Sequence, residues 1–186
     1  EVLKLKAPRL SAKELAKITD IGFEDVISDL SQCRFQIACD VKNPLVGEQG
    51  CSRVYGPQKG ATAMDVEEMD RSMVQFADLV ERIAADGRKG ISRNGDRNTP
   101  GAGAAGGLGY AFLMFLDGVL RPGIDIVLDE IRLEEAIAQS DLVITGEGRL
   151  DAQTLMGKTP AGVAGLAKKY GKPVIAAAGC FGEDVI

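Results

Sequence analysis

Two short apolar runs on either side of a helical pattern constrain the fold of this chain most strongly. Residues 142–145 (LVIT) and 174–178 (VIAAA) are typical of buried strands, and residues 160–170 between them are typical of a helix. Two strands joined by a helical crossover favour a parallel pair, because only a long connection lets both strands run in the same direction. We therefore predict an α/β fold with a parallel sheet in this half of the chain.

The segment that follows the first run carries side chains suited to chemistry. Residues 145–151 (TGEGRLD) place Glu147, Arg149 and Asp151 among glycines. We expect the strand to end at Thr145, and ligands in open α/β sheets bind beyond the carboxyl ends of the strands. The sequence therefore predicts a ligand site at this segment.

The remaining sequence predicts further elements and a domain boundary. A capping-box pattern predicts a helix over residues 12–18, and apolar residues at spacings of three and four predict a long helix over residues 65–85. Other patterns predict strands over 34–41 and 123–128, helices over 104–120 and 133–139, and a polar, mobile loop over 86–100. The character of the sequence changes near residue 122, which separates a predicted domain of residues 1–122 from one of residues 123–186.

Composition argues against several classes of protein. The 186 residues carry a net charge of −5 without a long basic run, which disfavours nucleic-acid binding. The longest apolar stretch, residues 110–116, is too short to span a membrane. Histidine is absent and the four cysteines form no CxxC pair, which argues against a zinc site and against catalysis by a Ser-His-Asp triad. Scattered thiols are typical of a reducing cytoplasm.

A glycine-rich stretch, residues 100–109 (PGAGAAGGLG), contains the GxGxxG pattern of dinucleotide sites. The residues before it are polar, so the strand that a Rossmann site requires is missing. Two interpretations stay open for Gly101, Gly103, Gly106 and Gly107. They bind an anion through bare backbone N–H groups at a helix start, or they allow close packing.

Lysines at predicted element ends are further candidates for anion binding. Lys158 precedes Thr159 and Pro160, which are favoured at the start of a helix, although the first glycine of a Walker A loop is replaced by Ala152. At the end of the 34–41 strand and in the turn at 55–60 (YGPQKG), the candidate side chains are Asp40, Lys42, Asn43 and Lys59. The carboxylates of Asp40, Glu147 and Asp151 suit Mg²⁺, and phosphoryl transfer needs mainly positioning and charge neutralisation.

Four ordered motifs resemble those of bacterial glycerate kinases. They are residues 38–45 (ACDVKNPL), 55–60, 100–109 and 145–151, and together they cover most of the chain from about residue 34 to 179. The resemblance implies ATP-dependent phosphorylation of D-glycerate, with ATP and Mg²⁺, in a cytoplasmic enzyme. It also implies two α/β domains with the active site between them: residues 1–122 would be part of an inserted domain and residues 123–186 part of a Rossmann-like domain.

Roles for individual residues follow from this resemblance together with their chemistry. Glu147 and Asp151 are expected to act as metal ligand or base, and Arg149 and Lys158 to contact phosphate or the glycerate carboxylate. The residues expected to line the site from the other domain are Asp40, Lys42, Asn43 and Lys59.

Family chains are longer than this one, so we expect a central to C-terminal fragment that is inactive alone. Exposed sheet edges in such a fragment would favour a homodimer. The alternatives are a non-catalytic module that binds an organic acid or a nucleotide, and another α/β phosphotransferase or oxidoreductase.

Overall fold

The computed structural model describes residues 3–4, 12–23, 30, 32–87, 90–92, 94–151 and 159–182. Its contacts divide the chain into two compact units, residues 1–120 and residues 121–186. This division lies two residues before the predicted boundary. The assignment of the two parts to an inserted and a Rossmann-like domain stays a prediction.

A long helix, α2, organises the first unit. It spans Ala63–Ala85 and confirms the helix predicted over residues 65–85. The helix starts earlier than predicted because Thr62 caps it: the Thr62 hydroxyl accepts a hydrogen bond from the Asp65 N–H, and the Asp65 carboxylate accepts one from the Thr62 N–H. Its predicted apolar stripe is packed into the core, where Val66, Met73, Val80 and Ile83 are buried.

Shorter helices pack around α2. Helix α1 spans Cys51–Tyr55, and helix α3 spans Leu108–Leu116. The core between them contains the fully buried Leu45, Val80, Tyr110 and Met114. Phe76 of α2 meets Tyr110 of α3 edge-to-face, with ring centroids 6.5 Å apart.

The prediction of a single helix over residues 104–120 was wrong at both ends. Residues Ala104–Gly106 form a separate 3₁₀ turn, and α3 stops at Leu116 because Asp117 adopts a left-handed conformation, with φ 50°. The chain then continues as a short strand, Val119–Arg121, that pairs with the strand Gln36–Ala38. The strand predicted over residues 34–41 is therefore present but shorter.

The described residues in the N-terminal part of the first unit form short elements. Two-residue strands, Leu3–Lys4 and Asp20–Ile21, pair antiparallel. Residues Ala12–Lys17 form a 3₁₀ helix where an α-helix over residues 12–18 was predicted. Ile18 and Ile21 anchor this part in the core, since both are buried there.

The second unit contains the parallel pair that the sequence predicts. The strands Val143–Leu150 (β5, in chain order) and Val174–Phe181 (β6) run in the same direction, with Val143 opposite Val174 and Leu150 opposite Phe181. They are joined by helix α6, Thr159–Lys169, in the place of the helix predicted over residues 160–170. Helix α5, Leu133–Gln139, matches its prediction.

The strand predicted over residues 123–128 was wrong, because these residues form helix α4, Gly123–Glu130. Ile124 and Leu128 are four residues apart and face the small core of this unit, while Val127 is exposed. Four-residue spacing places two side chains on one face of a helix, so this short apolar run is amphipathic as a helix. The observed class is nonetheless α/β, as predicted.

No helix in the described part of the chain is both long enough and apolar enough to cross a membrane.

Candidate functional site

Strand β5 is longer than predicted, and this changes the setting of its polar side chains. The strand was expected to end at Thr145 but continues to Leu150, so Glu147 and Arg149 lie within it rather than in a loop beyond it. Alternate residues of a strand share a face, so both project from the same face as Val143. Glu147 is half-buried, and Arg149 is exposed.

Glycines in the two strands allow their backbones to approach closely. A Cβ added to Gly146 would lie 2.4 Å from the carbonyl oxygen of Ala177, and one added to Gly179 would lie 2.9 Å from that of Gly148. Any larger residue at Gly146 would therefore push the strands apart. Sheet pairing therefore explains Gly146, whereas no atom lies within 4 Å of a Cβ built on Gly148.

Arg149 and Asp151 form an ion pair along this face, with Arg149 Nε 3.7 Å from Asp151 Oδ2. The Arg149 side chain is 62% exposed and that of Asp151 26% exposed, so solvent weakens the pair.

Glu147 and Asp151 are four residues apart, which in a strand is about 13 Å. This separation disfavours direct ligation of one Mg²⁺ by both carboxylates, and no group of three Asp, Glu, Cys or His side chains suited to a metal occurs among the described residues.

Helix α6 begins at the end of the sheet where Glu147 and Arg149 lie, which is the carboxyl end of β5. Because α6 connects two parallel strands, it runs back against them, and its first residue, Thr159, lies toward their carboxyl ends. Pro160 at the second position is buried. Lys158 lies outside the described residues, so its role in binding phosphate stays a prediction.

The first unit brings two of the sequence motifs together. The 40–45 segment and the glycine-rich turn (residues 101–107) are hydrogen-bonded to one another, since the Gly103 N–H donates to the Asn43 carbonyl at 3.0 Å. A Cβ on Gly103 would lie 2.2 Å from the Pro44 carbonyl oxygen, and one on Gly101 would lie 2.9 Å from Cys39 Sγ. Close packing therefore accounts for Gly101 and Gly103.

Gly106 has a different setting from Gly101, Gly103 and Gly107, against which other atoms pack. Ala105, Gly106 and Gly107 all have positive φ angles, of 50°, 74° and 99°, directly before helix α3. No atom lies within 4 Å of a Cβ built on Gly106, so packing does not explain that glycine. The left-handed backbone does, and the turn is open to solvent at that point. Anion binding by this end of the turn stays a prediction.

Asn43 is held on several sides. Its side-chain nitrogen donates to the Gln49 carbonyl at 2.9 Å, and its side-chain oxygen accepts from the Tyr55 hydroxyl at 2.7 Å. These bonds fix the 40–45 segment against helix α1 and give Asn43 a structural role in addition to any contact with ligand. Asp40, Lys42 and Lys59 are exposed, and Lys59 ends the 3₁₀ turn Pro57–Lys59.

Sequence reasoning missed an arginine that supports this region. Arg97, in the polar loop predicted over residues 86–100, donates to Glu81 and Asp78 of helix α2. Hydrogen bonds to Glu81 raise the pKa of Arg97, so its charge is permanent. The three-residue spacing of Asp78 and Glu81 on α2 was the available signal, because such residues share a helix face.

Tyr110 lies close to this cluster. Burial raises the pKa of its hydroxyl, and the charge of Glu81 adds to the effect. Tyr110 is 1% exposed, so the ion pair lies next to the apolar core of the first unit.

The fold and these groups define an α/β protein whose acidic and basic side chains lie on a strand of its parallel pair and whose glycine-rich turn precedes a helix. A profile described as "Glycerate kinase family" matches residues 4–186. The chain belongs to the glycerate kinase family, which confirms the resemblance drawn from the four motifs.

Relatives with this name share close to half of their matched residues with the chain. Glycerate kinases of Halalkalibacterium halodurans and Haemophilus influenzae are each 48% identical to it over 171 residues, which is 92% of this chain. Glycerate 2-kinase of Escherichia coli is 44% identical over 171 residues. A crystal structure of putative glycerate kinase 2 from Salmonella typhimurium LT2 matches 91% of the chain with a TM-score of 0.79 at 44% identity.

The chain spans less than half the length of these proteins. It covers 42% of the Halalkalibacterium halodurans protein, 43% of the Haemophilus influenzae and Escherichia coli proteins, and 43% of the Salmonella typhimurium chain.

Proposed function

We propose that this chain forms part of an enzyme that transfers the γ-phosphoryl group of ATP to a hydroxyl of D-glycerate. The observation that carries the proposal is the match of the family profile to residues 4–186, supported by relatives named glycerate kinase at 44–48% identity. The whole activity is assigned to the full-length protein in which this chain occurs, and the isolated chain is expected to be inactive. Residues 1–122 then belong to an inserted domain and residues 123–186 to a Rossmann-like domain.

The reaction requires one bond exchange and one proton transfer. A glycerate hydroxyl oxygen bonds to the γ-phosphorus, the bond from that phosphorus to the bridging oxygen of ADP breaks, and the hydroxyl proton leaves to a base. Without histidine, a carboxylate is a suitable base. Glu147 is our first candidate because it is half-buried on the polar face of β5, and Asp151 is the second.

Positive charge is needed where the phosphoryl group moves and where the substrate carboxylate binds. Arg149 has a planar guanidinium that can bind a carboxylate or phosphate with two hydrogen bonds, and it is exposed beside Asp151. Lys158 is proposed to supply a second charge before helix α6. The first unit is proposed to contribute Asp40, Lys42, Asn43 and Lys59. Gly106 and Gly107, at the end of the glycine-rich turn, are proposed to bind an anionic group through backbone N–H groups.

Mg²⁺ is proposed to enter with ATP rather than to occupy a cage of protein carboxylates. Mg²⁺ in such enzymes keeps several waters and is held by one or two carboxylates together with substrate phosphates. The wide spacing of Glu147 and Asp151 fits one carboxylate ligand rather than two. The metal would neutralise phosphate charge when bound.

A cytoplasmic location is proposed on cysteine chemistry. All four cysteines are free thiols, and Cys33 and Cys180 are exposed, which suits a reducing compartment.

The first test is ATP consumption with D-glycerate and Mg²⁺ in the full-length protein, comparing the wild type with Glu147→Gln. Loss of a base or metal ligand is expected to lower kcat by about 10²–10⁴-fold. Glu130→Gln, at the exposed end of α4, is the matched control and is expected to keep wild-type turnover.

Normal turnover in Glu147→Gln would remove Glu147 from the mechanism. No glycerate-dependent turnover in the folded wild type would contradict the kinase. Stabilisation of that protein by glycerate or ATP without turnover would then favour the binding module.

A further inference from the structure

Arg97 is fixed to helix α2 by an unusually complete set of bonds. Its Nε donates to both carboxylate oxygens of Glu81, at 3.1 and 3.0 Å. One terminal nitrogen donates to Glu81 at 2.6 Å and to Asp78 at 2.7 Å. The Arg97 backbone N–H also donates to Glu81, at 2.9 Å. Side chain and backbone of this loop residue are thus anchored to the same helix face.

The anchored residue is bonded in turn to the 40–45 segment. The Arg97 carbonyl accepts a hydrogen bond from the N–H of Leu45 at 2.8 Å, and Leu45 is 1% exposed. Six residues later, the Gly103 N–H donates to Asn43. The loop from Arg97 to Gly103 therefore meets the 40–45 segment at two points.

The path between these two points has its own internal bonds. The Ala102 N–H donates to the Thr99 carbonyl at 2.9 Å, and the Thr99 hydroxyl accepts from the Asp96 N–H at 2.9 Å. Ala102 is fully buried. These hydrogen bonds restrict the backbone between Arg97 and Ala102, so the position of Arg97 determines where the glycine-rich turn begins.

We propose that Arg97 is a positioning residue, which sets the 40–45 segment and the glycine-rich turn at the spacing that an anionic substrate group requires. This inference rests on the proposed function, since it takes the turn to bind one of the two substrates. Arg97 itself transfers no proton and contacts no substrate in this proposal. A lysine would keep the charge but lose the planar fork that holds two carboxylates at once.

A positioning role and a purely stabilising role differ in steady-state kinetics. If the turn is displaced, the KM of the one substrate that it holds rises while the KM of the other is unchanged, because one binding contact is weakened in ground and transition states alike. If Arg97 only stabilises the fold, its loss lowers the amount of active enzyme, so apparent kcat falls and both KM values stay constant.

The first experiment measures kcat and both KM values in the full-length protein for Arg97→Met and Arg97→Lys. We expect Arg97→Met to raise the KM of glycerate or of ATP at least tenfold, and Arg97→Lys to restore part of the loss. Arg121→Met is the matched control, because Arg121 makes a comparable 2.6 Å ion pair with Asp129 in the second unit. Unchanged KM values for both substrates in an active Arg97→Met protein would overturn the inference while leaving the kinase intact.

A second experiment needs no activity and uses this chain. Hydrogen exchange is followed at the amides of Leu45 and Gly103, whose bonds flank the proposed link. We expect both to exchange at least tenfold faster in Arg97→Met, with the amides of Met73 and Ala77 in helix α2 of the same unit unchanged. Equal exchange in wild type and variant would overturn the inference even if the chain proves not to be a kinase.

Discussion

At the scale of single residues, Gly103 shows how a side chain as small as a methyl group would disturb the proposed site. Its φ of −78° is open to any residue, so backbone strain plays no part. The added Cβ of Gly103→Ala would instead lie 2.2 Å from the Pro44 carbonyl oxygen. We expect a loss of about 1–3 kcal/mol in the free energy of unfolding, as for other overpacked sites.

The matched control for Gly103→Ala is Gly47→Ala in the same unit. Gly47 has a φ of 88° and no atom within 4 Å of its added Cβ, so only conformational strain is introduced. That strain costs about 1–2 kcal/mol. Urea unfolding measures both variants. A bound-ligand assay then separates them, since only Gly103→Ala is expected to weaken anion binding by the turn. Unaltered binding in Gly103→Ala would contradict a role of the turn.

Cys51 makes the stability of the first unit depend on pH. Burial raises the pKa of its thiol above the usual 9.0, and the Cys51 Sγ donates to the Leu45 carbonyl at 3.2 Å. Below pH 9.0 the thiol is protonated in both folded and unfolded chains. Above it the unfolded chain ionises first, so the free energy of unfolding falls as pH rises from 9.0 through the folded pKa.

The measurement is urea unfolding between pH 7 and pH 10.5. Above pH 9.0 we expect the free energy of unfolding to fall less in Cys51→Ala than in the wild type. The packing lost in the variant lowers its stability at every pH and does not change this comparison. Cys180→Ala, at an exposed thiol, is the control and should retain the wild-type slope. Identical slopes in all three proteins would show that Cys51 ionises equally in folded and unfolded chains.

At the scale of elements, the length of an apolar pattern decided which predictions succeeded. The apolar residues of helix α2 repeat over six turns, and Thr62 caps its start, so the sequence alone predicts a helix there. Residues 123–128 offer too few positions to separate a strand from a helix, and the packing of Ile124 and Leu128 decides for the helix. Strand β5 extends beyond its apolar run, which ends at Thr145, because β6 pairs with it as far as Leu150.

The same limit applies to the candidate site. Motif order in the sequence was enough to indicate the family, and the Gly103–Asn43 hydrogen bond joins two of those motifs in space. The three-residue spacing of Asp78 and Glu81 indicates a shared acidic helix face, but it does not identify Arg97 as the partner, because Arg97 is 16 and 19 residues away. Long-range ion pairs of this kind have no local signature. The roles of Glu147, Arg149 and Asp151 stay predictions.

At the scale of the whole molecule, one face of the β5–β6 sheet is unusually apolar for an exposed surface. Helix α6 packs on the face that carries Val143 and Val174. The opposite face carries Ile144, Ile175 and Phe181, which are 70%, 53% and 57% exposed. Parallel sheets are normally covered on both faces. Because relatives are more than twice as long as this chain, we expect the additional sequence of a full-length protein to cover this face.

Ile144→Lys tests that expectation in two contexts. In the full-length protein a charge on a covered sheet face should cost about 3 kcal/mol or more, through lost apolar burial and an unpaired ammonium group. In the monomer of this chain the same change should leave the free energy of unfolding within about 0.5 kcal/mol, as at other exposed positions. Lys172→Met, outside the strands, serves as a control for altered charge.

Comparing this chain with the full-length protein also shows whether the apolar sheet face is covered by the same polypeptide or by a second copy in the proposed homodimer. Sedimentation velocity of this chain should show self-association that Ile144→Lys abolishes, because an exposed apolar face is a surface for a second copy. The full-length protein should keep its oligomeric state in the variant if its own residues cover the face. A full-length variant that is as stable as the wild type but loses its dimer would instead place the subunit interface on this sheet.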